Sequence, residues 1–82
     1  MSIIPSRTTA ADYRLALATL RGCQAQLRAA YADASGAAPY LTGVRATRAA
    51  ELADKAADAL AYCERLIFIV TGDLQDERRA NA

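Results

Sequence analysis

Few side chains in this sequence are equipped for chemistry. There is no His in the 82 residues, which removes the usual general base at neutral pH, the common catalytic triads and most zinc sites. The two thiols, Cys23 and Cys63, are 40 residues apart, and neither belongs to a CxxC pair. Glu51, Asp54 and Asp58 recur at three- and four-residue spacing, so they share one helix face. No residue elsewhere completes a divalent-cation shell, and a solvated acidic face is the better reading. No Gly-rich phosphate loop occurs. No catalytic, cofactor-binding or metal-binding residue is assigned, and the chain is not expected to be an enzyme. The most regular polar feature is basic: Arg7, Arg14, Arg21 and Arg28 fall every seven residues.

Residues so spaced need long helices to position them. Tyr13, Leu17, Leu20, Gln24, Leu27 and Tyr31 are separated by steps of four and three, a heptad seam. A second stripe runs Ala49, Ala53, Ala56, Leu60, Cys63, Ile67 and Val70, and extends to Leu74. The expected organisation is a single helical domain: an extended arm over 1–8, helix over 9–34, connection over 35–43, helix over 44–71 and polar tail over 72–82. Thr9 with Asp12 forms an approximate capping box, Asp standing where Glu or Gln is usual. Ser35-Gly36 and Gly72 are the expected stops. Residues 39–46 are compatible with a plain loop or with a very short hairpin turning at Thr42-Gly43. A short connection sets two such helices antiparallel. The fold class is therefore all-α, an antiparallel two-helix hairpin, completed to a four-helix bundle by dimerisation or by a partner.

The expectation of a partner comes from composition. Hydrophobic residues make up 54% of the chain, but 21 of them are Ala, whose methyl buries little area. At this size one core supplies only about 3–5 kcal/mol of net stability. The segment Leu66-Ile67-Phe68-Ile69-Val70 is apolar on all sides, more than one neighbouring helix can cover. The far side of the first helix carries Leu15, Ala18, Gly22, Ala25, Ala29 and Ala32, a smooth surface for close helix approach. Leu66, Phe68, Ile69, Leu15, Gly22 and Arg21 are the candidate interface.

Charge divides along the chain. Residues 1–48 carry six Arg against Asp12 and Asp33, a net of +4; residues 49–82 carry a net of −3. With the turn near residue 38 or 39, Arg14 falls near Glu64 and Arg28 near Glu51, while Arg21 has no obvious partner. Internal pairing is the preferred reading of the Arg ridge, and nucleic-acid phosphate is the less favoured one. In the same register Cys23 and Cys63 lie about 13 Å apart along the axis, too far for an intrachain disulfide. Gln24, a polar residue inside the seam, is expected to be buried and to select register or partner. The start, Met1-Ser-Ile-Ile-Pro-Ser-Arg, lacks a leader's charged and apolar regions. No apolar run approaches the length of a membrane span. A cytoplasmic protein with reduced thiols is expected.

The stretch from Tyr40 to Leu52, followed by Ala61-Tyr62-Cys63-Glu64, resembles small phage head-to-tail joining proteins of the lambda gpW type. Gly43, Arg45, Thr47, Arg48 and Ala49 stand where that family has a Gly-Arg turn and a Thr-Arg-Ala helix start. The likeness covers about a third of the chain. An extra Ala before Glu51 and a shorter hairpin region depart from the family pattern. The resemblance implies two helices flanking a short β-hairpin and a structural protein docked in rings at a portal, hence a virion component. Self-association or binding to another protein is the leading expectation. Alternatives are a small inhibitor or adaptor that blocks a host protein, and a nucleic-acid-binding dimer using the Arg ridge.

Overall fold

The computed structural model describes residues 8–81. They form two antiparallel helices, α1 (Ala10–Ala37) and α2 (Gly43–Ala80), joined by a single 3₁₀ turn at Ala38–Tyr40. The arm expected over 1–8 lies, save for Thr8, outside the described residues, as does Arg7.

α1 starts at the expected box. Thr9 Oγ1 accepts a hydrogen bond from the Asp12 amide at 3.2 Å, and Asp12 Oδ2 accepts from the Thr9 amide at 3.1 Å. Two amides that begin the helix without partners are thereby satisfied. These bonds, the Thr9 amide first and its hydroxyl second, hold the Asp12 carboxyl below its ordinary value.

Both expected stops are overrun. α1 continues through Ser35-Gly36 to Ala37, and Gly36 does not adopt a positive φ. Pro39 ends the ladder, because it has no N–H to donate to the carbonyl four residues back. The Leu41 amide closes the 3₁₀ turn onto Ala38 O at 3.1 Å. Leu41 and Thr42 are extended, and Gly43, at φ +61, turns the chain into α2. Only glycine enters that region at no steric cost. Residues 39–46 therefore form no β-hairpin.

α2 runs on through Gly72 to Ala80, so most of the polar tail is helical. Leu74, buried on the inward stripe of α2, is the physical reason. A helical Gly costs only about 1 kcal/mol relative to Ala, less than the roughly 1.5–3 kcal/mol gained by burying a Leu. Arg78 and Arg79 in the last turn complement the helix dipole, and the Asn81 side chain donates to Glu77 O at 3.0 Å.

The core between the helices is thin. Leu17, Ala34, Ala53, Ala56, Cys63 and Leu74 are buried, and Tyr13, Leu20, Gln24, Leu27, Leu60, Ile67 and Val70 are half-buried. These are the two expected stripes, with Ala34 extending the first and Tyr31 left exposed. The smallest Cα extent is 14 Å, one helix thick. Most domains stack two layers around a core; here both broad faces of a single layer remain open.

Candidate functional site

Three bonds between the helices set the register. The Cys63 thiol meets the Leu20 carbonyl at 3.5 Å, Gln24 Nε2 donates to Glu64 Oε2 at 3.0 Å, and Arg28 Nη2 pairs with the same oxygen at 3.2 Å. A helical carbonyl points along the axis toward its own C-terminus, so Cys63 faces the α1 turn that carries Gly22 and Cys23.

The expected register is therefore wrong by about two helical turns. Arg28 meets Glu64 rather than Glu51, and Glu51 pairs with Arg48 on its own helix at 3.5 Å. Arg14 and Arg21 form no ion pair among the described residues. The expected 13 Å between the cysteines does not hold either, since the Leu20 carbonyl that Cys63 meets lies within one helical turn of Cys23. Gln24 is half-buried and bonded to Glu64, not enclosed in an apolar seam. The cause is the turn. Each residue by which it moves along the chain changes the opposing residue by two, and α1 carries the turn past Pro39 to Leu41–Gly43.

At about 3.6 residues per turn, the Arg28–Glu64 bond identifies one broad face of the hairpin. It carries Arg14, Arg21 and Arg28 from α1, and Glu64 and Phe68 from α2. Arg28 and Glu64 are largely solvated, so the pair contributes about 0–1 kcal/mol and acts mainly on register.

The opposite broad face is apolar. α1 places Ala16, Cys23 and Ala30 there, and α2 places Leu52, Ala59 and Leu66. Each set repeats every seven residues, and all six are exposed, Leu52 at 57%. Among the described residues, the only charge near this face between Leu52 and Leu66 is Lys55, at its outer margin. Tyr62, on the same margin, stacks under the Arg65 guanidinium at 5.6 Å. Leu52 and Tyr62 were absent from the interface expected from sequence. The seven-residue steps from Ala16 to Ala30 and from Leu52 to Leu66 were the available signal, hidden because half the members are Ala or Cys.

The expected interface residues are exposed but do not form one patch. Leu15 and Gly22 lie on the outer side of α1, Ile69 lies on the outer side of α2, and Phe68 and Leu66 occupy opposite broad faces. Phe68, at 79% exposure, stands beside the Arg ridge. Of the expected set, Leu66 alone belongs to the apolar face.

Among the described residues no three His, Cys, Asp or Glu side chains group as a metal site requires, and no helix is long and apolar enough to cross a membrane. Burial pushes the Cys63 thiol above its ordinary value, with further contributions from Cys23 and Glu64. The chain matches no protein-family model, no characterised protein and no solved structure.

Proposed function

We propose that this chain is a non-enzymatic assembly module that pairs with a second copy through the apolar broad face, two hairpins stacking into a four-helix bundle. The observation that carries the reading is the area left uncovered. A folded monomer of 8.7 kDa exposes about 4,700 Å², whereas this chain exposes 6295 Å². Allowing the seven N-terminal residues outside the described range an unfolded chain's share, about 1,100 Å², and the other 75 residues a folded domain's share, about 4,400 Å², leaves an excess of roughly 800 Å². That equals one partner's share of a standard protein–protein interface. The Ala and Cys positions let the backbones of two hairpins approach closely, while Leu52 and Leu66 supply the larger contacts.

Sedimentation over a concentration series tests this. The wild-type chain is expected to sediment as a dimer at micromolar concentration. Leu52→Glu with Leu66→Glu is expected to leave helicity intact and produce a monomer. A wild-type chain that stays monomeric at high concentration would sink the homodimer.

A heterologous partner is the second reading, favoured by Arg14 and Arg21, which stand without ion pairs among the described residues on the other face, where Phe68 also lies. An acidic protein surface suits that pattern better than bare phosphate, because Phe68 offers an apolar anchor among the charges. The resemblance to joining proteins suggests one setting for either reading, copies of the chain arranged in a phage particle. A small inhibitor or adaptor would use the same face to occupy a host protein.

A further inference from the structure

We propose that Cys23 and Cys63 form a dithiol redox site that closes to an intrachain disulfide between α1 and α2 on exchange with a low-molecular-weight disulfide. The site rests on helix register. Cys63 Sγ lies 3.5 Å from the Leu20 carbonyl oxygen, which points along α1 toward the turn bearing Cys23. The next residue on each helix bonds across the same gap, Gln24 to Glu64 at 3.0 Å. In antiparallel helices that bond sets Cys23 level with Arg65, so Cys63 lies two residues, about 3 Å along the axis, from Cys23. Both cysteines carry free thiols.

Unequal exposure orders the steps. Cys23 is exposed and Cys63 is 7% exposed. The Cys23 thiolate attacks one sulfur of the small disulfide, forming a mixed disulfide and releasing one small thiolate. Cys63 then loses its proton and attacks the Cys23 sulfur, and the second small thiolate leaves. The protein dithiol gives up two electrons, the small disulfide is reduced to two thiols, and the cysteine protons pass to the departing thiolates. Burial makes Cys63 a poor first nucleophile but leaves it well placed for the second attack, because its target is held beside it. The new bond links the midpoints of the two helices and closes a 40-residue segment of chain, which restricts the unfolded state.

The site lies within one chain, so it does not depend on self-association. Cys23 does sit on the face proposed for pairing, and the experiment is therefore run on dilute, monomeric protein. Oxidised glutathione is added to the native full chain, and products are read by intact mass and peptide mapping. The expected product is one chain lighter by two hydrogens, with Cys23 linked to Cys63 and a melting temperature several degrees above that of the reduced chain. Cys63→Ala is expected to halt at the glutathione adduct on Cys23. Cys23→Ser is expected to leave Cys63 unmodified while the chain is folded. A stable glutathione adduct on wild-type Cys23, or only interchain Cys23–Cys23 dimers, would overturn the proposal. Equal product mixtures from wild type and Cys63→Ala would overturn it as well.

Discussion

Leu15 and Leu17 offer the cleanest test of what holds the hairpin together. They are two residues apart on α1, chemically identical, and differ in exposure, 68% against 7%. Truncating Leu17 to Ala removes apolar area from the interhelical seam and leaves a cavity there. Such changes cost about 2–5 kcal/mol. A layer one helix thick lets neighbouring side chains relax and water enter, so the low end, about 2–3 kcal/mol, is expected. The total stability available at this size is about 3–5 kcal/mol, so Leu17→Ala leaves the chain barely folded at ambient temperature. Leu15→Ala removes the same atoms from solvent and should change stability by less than about 0.5 kcal/mol. Urea melts followed by far-ultraviolet circular dichroism measure both, and the slope should be unchanged wherever the denatured state is unaffected. Equal costs at the two positions would refute the assignment. A larger cost at Leu15 would show that α1 buries its outer side and that the isolated hairpin is not the stable unit.

The other expected outcomes concern local structure and charge. Gly72→Ala places its Cβ in open space within α2 and should stabilise by about 0.5–1 kcal/mol, whereas Gly43→Ala, at φ +61, should destabilise by about 1–2 kcal/mol; paired thermal melts decide both. The folded-state value of Asp12 lies below its ordinary 3.8, so its contribution to stability is complete above that pH and is lost as pH falls through the lowered value. Melts across this acidic window should show a loss in wild type that is missing from Asp12→Asn. Changing Arg14, Arg21 and Arg28 together to Gln should cost no more than about 1 kcal/mol, because Arg28 alone has an ion-pair partner among the described residues. A larger loss of melting temperature would mean that the ridge supports the fold. Arg21→Glu should leave the apolar-face dimer intact, and dissociation in sedimentation would move the interface to the charged face.

Periodicity made the helices and their inward stripes legible. The seam from Tyr13 through Leu27 and the stripe from Ala49 to Leu74 follow the helical repeat, and the same residues line the interhelical contact. The Thr9–Asp12 box was legible because capping depends on residues three apart in sequence. Helix ends were less so. Gly36 and Gly72 read as stops on local preference, yet that preference is worth only about 1 kcal/mol, and the burial of Leu74 exceeds it. Pro39, which cannot donate the next bond in the ladder, is the firmer stop.

The candidate sites depended on register, and register is where sequence reading failed. A four-residue displacement of the turn changes the opposing residue by about eight, which brings Cys63 beside Cys23 and, with the reach of two long side chains, lets Arg28 pair with Glu64 rather than Glu51. The sequence by itself determined the helices, the stripe each turns inward, and the shortage of core that leaves large side chains uncovered, because these follow from a repeat within one segment and from composition. Tertiary structure alone decided which residues meet across the hairpin and which broad face is charged and which apolar, because the axial alignment of two helices is set by where the chain reverses and by the few bonds that form across the gap.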